Sequence, residues 1–383
     1  MKKYLNLTSN QAIKQFLLRD KTLVPEASEE LRQKWGDLEN LKSDLSVSIV
    51  IPTHRTRPDS DIDAILLKNK MEEAERMLYS QLDKRKAEVV VENIKEAQDA
   101  IDYSLNLDSL VLYANEYFAS VVRLPIESEE EVLIAREFDL RPLYKTRQQN
   151  RRYYILTISR NVIRLIEAFN DKLVKEIKNE DFPFENDYYT TDPKKLAQDV
   201  FIDNQEKEFY NTADKLFQKY YNENPLPVIL AGDVKTLAYY EEQMDEDCMI
   251  ITRIHGNFDK MSYPEIMKAV EPEVVKFREE QQQIYVQQMD EAISAGRLIT
   301  DVNDMYKAAA EGAADTLYMG DTYSLDKISS GQITLVDEDN YEIKASEFLP
   351  ALMKVVRDSG GKVMFVKDEW MDKYQGIALV RRY

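Results

Sequence analysis

The sequence predicts three consecutive domains of α/β and α+β type. The chain has 383 residues, a length typical of two or three domains of roughly 100–200 residues each. Hydrophobic residues make up 44% of it, which is enough for packed cores and excludes wholesale disorder. Segments with strand character also alternate with segments of helical periodicity, as they do in α/β folds.

The first predicted domain, residues 1–147, begins with a polar, helix-prone stretch. A β-branched run at 47–51 then indicates a strand, and the apolar spacing within 61–102 indicates two amphipathic helices. Two further runs, 109–113 and 119–124, are typical of paired strands.

The other two domains, 148–270 and 271–383, are predicted to alternate strands and helices. The middle one is expected to begin with a strand hairpin at 153–158 and 162–166 and a helix at 193–221. A strand at 228–231, a helix, a strand at 249–251, a loop at 255–257 and a further helix should follow. The last one is expected to have a long helix, a helix capped by Asp301, a strand, a helix and two strands, at 272–295, 302–311, 316–319, 347–359, 362–366 and 377–380.

The charge balance limits the classes of partner and cofactor. Lys and Arg number 51 against 70 Asp and Glu, a formal net charge of -19, which argues against non-specific binding to nucleic acid. With one cysteine and two histidines, we expect no metal centre and no cofactor. No apolar run approaches the roughly 20 residues of a membrane span, so we expect no membrane partner and a cytoplasmic location.

Two basic clusters run against this acidic average. The first, with Arg55 and Arg57, follows the first predicted strand, and it either contacts phosphate or pairs with the aspartates at 59–63. The second surrounds residues 145–152 and is either a phosphate contact or a charged linker. If RNA is bound, we predict that the main phosphate contacts are Arg55, Arg57, Arg151 and Arg152.

The catalytic signals are weak. The sequence contains no phosphate-binding glycine loop and no zinc-hydrolase or serine-hydrolase motif. His255, in a predicted loop, is either a catalytic base or an ordinary loop histidine, because no positioned partner is evident from the sequence. No carboxylate set has a spacing that supports a metal site.

The order of segments resembles the archaeo-eukaryotic translation release factor and Pelota superfamily, in particular its bacterial branch. Three stretches carry the resemblance: SIVIPTHR at 48–55 with the helix that follows, PVILAG at 227–232, and a C-terminal set comprising 308–319, 360–363 and the ending GIALVRRY at 376–383.

The resemblance implies a three-domain factor that binds the ribosome or tRNA. In the family the N-terminal domain enters the decoding site and the middle domain reaches the peptidyl-transferase centre. The C-terminal domain, which is similar to kink-turn-binding ribosomal proteins, binds protein partners.

The chain departs from the family in its two best-known motifs. Residues 173–231 contain no glycine, so the Gly-Gly-Gln loop of peptidyl-tRNA hydrolysis is missing. Asn204 and Gln205 stand near its place, where Gln205 is either a relic of the loop or a plain helical glutamine. Lys68 alone matches the Asn-Ile-Lys-Ser decoding motif, which makes it a candidate RNA contact.

Three functions therefore stay open. The first is a ribosome- or tRNA-binding factor without the usual hydrolysis. The second is a divergent peptidyl-tRNA hydrolase or RNA-cleaving enzyme, with Asn204, Gln205 and His255 as weak catalytic candidates. The third is a protein-interaction scaffold on the same fold, which the excess of acidic residues in every predicted domain favours.

Overall fold

The computed structural model describes most of the chain and contains three separate β-sheets. The described residues are 38, 43, 45–55, 58–149, 152–170, 172–187, 199–244, 250–323 and 342–383. Each predicted domain contributes one of the sheets, so the mixed α/β class predicted from the sequence is confirmed. In these residues no helix has the length and apolar character needed to cross a membrane.

Compactness groups the described residues into two units. One unit comprises residues 150–284, and the other combines residues from 24–149 with 285–383. The first and third sheets thus belong to one unit, whereas the second forms a unit of its own. The division into three domains with boundaries at 147 and 270 stays a prediction.

The first sheet is antiparallel, in the order β3-β2-β1-β4. Its strands are β1 (Ser46–Pro52), β2 (Ser109–Ala114), β3 (Ala119–Leu124) and β4 (Glu131–Ala135). The helices α1 (Asp63–Gln81) and α2 (Lys84–Asp99) pack on one face against Ile49 and Ile51, while Val50 is buried on the other. Burial of both faces explains the unbroken apolar run of β1. Helix α3 (Arg141–Gln149) follows β4, and neither element was predicted.

The second sheet has the order β10-β9-β5-β6-β7, with β8 paired to β6. Its strands are β5 (Arg152–Ile158), β6 (Val162–Phe169), β7 (Lys172–Glu176), β8 (Phe184–Glu185), β9 (Val228–Gly232) and β10 (Ile250–His255). Strands β5, β9 and β10 are parallel, and β6 forms the predicted hairpin with β5.

Helices cover both faces of this sheet. Phe209 and Phe217 of α4 (Asp199–Glu223) and Leu237 of α5 (Val234–Gln243) share the core of one face. Ile266 and Val270 of α6 (Tyr263–Ser294) lie in the core of the other. The predicted loop over 179–192 contains β8, and its residues 188–192 lie outside the described part of the chain.

The start of the long helix was predicted wrongly. We expected one helix after the loop at 255–257 and then a separate long helix from Pro272 to Ala295. Instead α6 begins at Tyr263 and continues through Pro272. The reason is packing, because one helical face is buried without interruption on both sides of the proline, at Ile266, Val270, Val274 and Phe277.

The third sheet has the order β11-β14-β12-β13. Its strands are β11 (Leu298–Ile299), β12 (Ala314–Gly320), β13 (Lys362–Val366) and β14 (Ile377–Arg381). The helices α7 (Val302–Ala310) and α8 (Phe348–Asp358) pack on it through a core that includes Met305 and Leu352. Asp301 caps α7 as predicted, accepting hydrogen bonds from the amides of residues 303 and 304 at 3.0 and 3.1 Å.

The arginines of the C-terminus bond to carbonyl groups at the ends of helices. Arg381 donates to the carbonyl of Gly296 at 2.9 Å, just after α6. Arg382 donates to the carbonyls of Gly312, after α7, at 3.2 Å and of Ser359, after α8, at 2.7 Å. Because the last carbonyls of a helix lack internal partners and carry partial negative charge, these cations satisfy three helix ends at once. The Arg-Arg pair thus has a structural task in the third sheet.

Helix α3 connects the first and third sheets within their shared unit. The basic stretch predicted to be either a phosphate contact or a charged linker begins in this helix, where Lys145 and Arg147 lie. The side-chain amide of Gln148 donates to the carbonyl of Phe365 at 2.6 Å and accepts from its amide at 2.7 Å, so that it replaces a neighbouring strand along β13. Lys145 bonds to the carbonyl of Asp321 and lies 5.3 Å from the ring centroid of Phe365.

Arg141, at the start of α3, is the centre of a buried ionic network. Only 5% of Arg141 is exposed, and its guanidinium lies 2.8 Å from a carboxylate oxygen of Asp139 and 2.7 Å from one of Glu131. It also donates to the carbonyl of Tyr323 at 3.3 Å, which belongs to the third sheet's part of the unit. Burial raises the pKa of Glu131, whereas the charge of Arg141 opposes that rise.

We predict that Arg141→Ala destabilises this unit strongly. The substitution leaves the carboxylates of Asp139 and Glu131 without their buried cation, which costs about 3–5 kcal/mol in comparable cases. Chemical denaturation of the full chain measures the loss. Lys84→Ala is the control, because Lys84 pairs with Glu88 in solvent, and its effect should stay below about 0.5 kcal/mol. Equal effects of the two variants would contradict the role of Arg141.

Candidate functional site

The N-terminal tip is the end of the first sheet where β1 ends and α1 begins. We define it as residues 53–55, 58–65 and 102–108, which the chain brings together from three segments. The amide of Thr53 donates to the carbonyl of Asp108 at 2.9 Å, and its hydroxyl donates to the carbonyl of Leu107 at 2.8 Å. These bonds hold the loop after β1 against the loop before β2.

Asp63 joins all three segments of the tip. Its carboxylate is fully buried and accepts hydrogen bonds from the amide of His54 at 3.0 Å and from the side chain of Asn106 at 2.8 Å. The Nδ1 atom of His54 lies 2.9 Å from the other carboxylate oxygen, while 41% of the His54 side chain is exposed. A buried carboxylate in this position orients the imidazole ring. Sequence reasoning missed this pair, since the two residues lie in different predicted elements.

The predicted phosphate contacts at the tip have different surroundings. Arg55 forms a bidentate pair with Asp108, with N–O distances of 2.5 and 2.6 Å. Lys68 is exposed in the second turn of α1, and Arg57 lies outside the described residues. The alternative of an ion pair thus describes Arg55, although its partner is Asp108 rather than an aspartate of 59–63.

The surface of the tip is apolar and acidic. Ile62, Ile65 and Leu105 are 55, 61 and 61% exposed. The exposed aspartates at 59, 61 and 102 lie among them in the sequence. The signal in the sequence was the position of Ile65, which lies off the buried stripe of α1 formed by Leu67, Met71, Ala74 and Leu78.

The carboxyl edge is the end of the second sheet where its parallel strands terminate. We define it as residues 158–161, 232–236 and 255–259; Ile158, Gly232 and His255 are neighbours in register. Ligands of open α/β sheets bind at such edges. Gly232 is required here because a Cβ atom would overlap the carbonyl oxygen of Ile158.

The catalytic candidates are not assembled into a site. Gln205 is half-buried on α4, and Asn204 lies in the same helix. His255 is the exposed last residue of β10 rather than a loop residue. Among the described residues no hydrogen bond joins Gln205 to His255. The described part of the chain also contains no group of histidine, cysteine and carboxylate side chains that could hold a metal ion.

Asp233 organises the start of α5 at the carboxyl edge. Its carboxylate accepts hydrogen bonds from the amides of Lys235 and Thr236 at 3.1 and 3.0 Å and from the Thr236 hydroxyl. Burial alone would raise the pKa of Asp233, but these bonds and the charge of Arg160 hold it below its ordinary value. Arg160 is itself paired with Glu206 of α4 at 3.4 Å.

Arg152, one of the two remaining predicted phosphate contacts, is the first residue of β5. Arg152 lies 3.0 Å from the carboxylate of Glu167 on the neighbouring strand β6, and only 4% of the Glu167 side chain is exposed. Lys175 approaches the other oxygen of the same carboxylate at 3.5 Å. Arg152 therefore neutralises a buried charge within the sheet. Arg151 lies outside the described residues.

We predict that Asp233→Ala lowers the free energy of unfolding by about 1–2 kcal/mol at neutral pH, the usual effect of losing a helix cap. Because the pKa of Asp233 is lowered by folding, its contribution is present above its ordinary value of 3.8 and is lost as the pH falls through the lower folded value. Thermal unfolding between pH 7 and 3 should therefore show the two proteins converging at acid pH. Asp187→Ala, in an exposed loop of the same unit, is the control. A constant difference across this range would contradict the assignment.

Part of the chain, including the second sheet, is similar to a known protein family. Residues 152–313 match the model of the family described as Bacterial archaeo-eukaryotic release factor family 3. A comparison with curated proteins gave no match. The match over 152–313, which extends from β5 to the end of α7, contains the second stretch of the predicted resemblance and part of the third.

Three of the solved structures to which the chain is similar come from archaea and yeast. The chain is 17% identical to an archaeal translation termination factor, aRF1, covering 93% of this chain and 98% of that one with a TM-score of 0.25. It is 14% identical to an archaeal Pelota, covering 92% and 94% with a TM-score of 0.40. It is also 14% identical to Dom34 of S. cerevisiae, covering 94% of both chains with a TM-score of 0.38. The match over residues 152–313 supports the resemblance to the bacterial branch of the archaeo-eukaryotic release factor and Pelota superfamily that the sequence predicted.

Proposed function

We propose that this protein is a cytoplasmic, release-factor-like factor that binds the ribosome or tRNA and does not use Gly-Gly-Gln hydrolysis. The observation that carries the proposal is the family match over the second sheet, combined with the absence of glycine from 173–231 of the sequence. One of the similar solved structures is an archaeal Pelota described as ribosome-bound.

The local structure around residues 203–205 supports the loss of hydrolysis. Two glycines would allow backbone angles that other residues avoid and a close approach to the end of a tRNA. A backbone amide beside the glutamine would then help to stabilise an oxyanion. Here Gln205 lies inside α4, which begins at Asp199, so its backbone is engaged in the helix. The alternative of a plain helical glutamine fits this placement.

Ribosome binding is tested by co-sedimentation. We expect the full chain to sediment with vacant or stalled ribosomes at low salt and to be released as salt rises, because contacts to phosphate weaken steeply with ionic strength. Lys84→Ala serves as the folded control, because it removes only the solvent-exposed ion pair of Lys84 with Glu88. Absence from the ribosomal fraction at low salt would refute the proposal.

The absence of hydrolysis is tested separately with peptidyl-tRNA. We expect the wild-type chain and Gln205→Ala to release peptide at the same background rate, because Gln205 lies in a helix without a glycine loop. Lys207→Ala, an exposed position on the same helix, controls for effects on folding. Release by the wild type that disappears only in Gln205→Ala would establish the divergent hydrolase instead.

A protein-interaction scaffold is the second candidate, and one observation favours it. The predicted phosphate ligands Arg55 and Arg152 are both paired with carboxylates, at 2.5 and 3.0 Å. A guanidinium that neutralises a carboxylate has less attraction left for phosphate. A further relative, Dom34 of S. cerevisiae, is described as interacting with Hbs1. By analogy, the C-terminal residues 271–383 are proposed to bind a protein partner.

A further inference from the structure

We propose that the N-terminal tip is a docking surface for a basic protein segment that carries aliphatic or aromatic anchor residues. The inference goes beyond the proposed function, because it assigns a partner class to a surface for which the sequence suggested RNA. It is carried by three properties of the described residues: apolar exposure, negative charge and rigidity.

The apolar part of the surface comes from two segments that are held together. Ile62 precedes Asp63 and Leu105 precedes Asn106. The 2.8 Å hydrogen bond between Asp63 and Asn106 joins the two segments that carry these exposed side chains. Ile65 lies one turn further along α1. Single exposed apolar residues are common, but a contiguous group of them on a protein surface marks an interaction site.

The charge of the tip determines the sign of its partner. Across residues 53–65 and 102–108 of the sequence, five aspartates stand against two arginines, Arg55 and Arg57. Arg55 is already paired with Asp108, and the guanidinium of Arg123 donates to the carbonyl of Asp102 at 3.1 Å. The excess carboxylates would repel a phosphate backbone and attract lysine or arginine side chains. Apolar anchors within a charged rim form the usual anatomy of a protein interface.

Rigidity adds to the suitability of the surface for binding. The fully buried Asp63 carboxylate is bonded to the main chain of the β1 end, to the His54 ring and to the loop before β2. The side chain of Asp102 accepts hydrogen bonds from the hydroxyl and amide of Ser104 at 2.6 and 3.0 Å, which fixes the turn that carries Leu105. Binding of a partner here costs little conformational entropy, because these loops are already held in place.

The first test uses the full chain and a synthetic peptide of lysine and leucine with leucines at helical spacing. A peptide of the same composition in scrambled order is the control for charge alone. Fluorescence anisotropy should show binding of the patterned peptide and at least about tenfold weaker binding of the scrambled one, since only the former presents a continuous apolar face. Equal binding of the two peptides would refute the inference.

Variants then locate the binding site. The triple variant Ile62→Ser, Ile65→Ser, Leu105→Ser should weaken binding of the patterned peptide by about tenfold or more. Asp59→Asn, Asp61→Asn, Asp102→Asn should weaken it and reduce its salt dependence. The matched control is Val89→Ser, Val174→Ser, Ile293→Ser, which alters side chains 43, 41 and 51% exposed outside the tip. Unchanged affinity in both tip variants, or the same loss in the control, would overturn the inference. So would self-association of the wild type that the serine variant abolishes, because the occupant would then be a second copy.

Co-sedimentation of the charge variants with ribosomes distinguishes a protein partner from RNA, because the two partners predict opposite changes. If the tip contacts a basic protein surface, the three Asp→Asn substitutions weaken co-sedimentation, and Lys68→Gln leaves it unchanged or strengthens it. If the tip contacts RNA phosphates, the three Asp→Asn substitutions strengthen co-sedimentation and Lys68→Gln weakens it. The inference is then wrong. A wild-type chain that does not sediment at all refutes the proposed function alone, since the peptide measurements still decide the question of docking.

Discussion

The buried guanidinium of Arg141 is the interaction on which the arrangement of the larger unit depends. It neutralises Asp139 and Glu131 on the side of the first sheet and bonds to the carbonyl of Tyr323 on the side of the third. A charge that is so fully removed from water is tolerated only where its partners are complete. Residues far apart in the chain are thereby committed to one packing, and α3 becomes part of a core instead of a linker.

The same principle explains how an acidic chain uses its arginines. Arg152 neutralises the buried Glu167 within the second sheet, and Arg55 is paired with Asp108 at the N-terminal tip. Arg381 and Arg382 satisfy the carbonyl groups at the ends of three helices. Because these cations are engaged within the fold, the described surface keeps its negative character. A surface of this charge attracts basic protein segments and repels RNA phosphates.

The two candidate surfaces differ in what they can do. The carboxyl edge has the topology of a ligand-binding crevice, but Asp233 already occupies the first amides of α5 and the catalytic candidates stay apart. The N-terminal tip has an oriented histidine, exposed apolar side chains and excess carboxylates in one rigid place.

The sequence by itself determined the class of fold, most strands and helices and the Asp301 cap, since periodicity and turn chemistry are local properties. It also predicted the hairpin of β5 and β6. Only the tertiary structure decided that α6 continues through Pro272 and that α3 packs between two sheets, because burial against distant strands outweighs local helix signals. The tertiary structure alone also decided which carboxylate each arginine pairs with. Arg55 pairs with Asp108 and Arg152 with Glu167, and both carboxylates are distant from their arginines in the sequence.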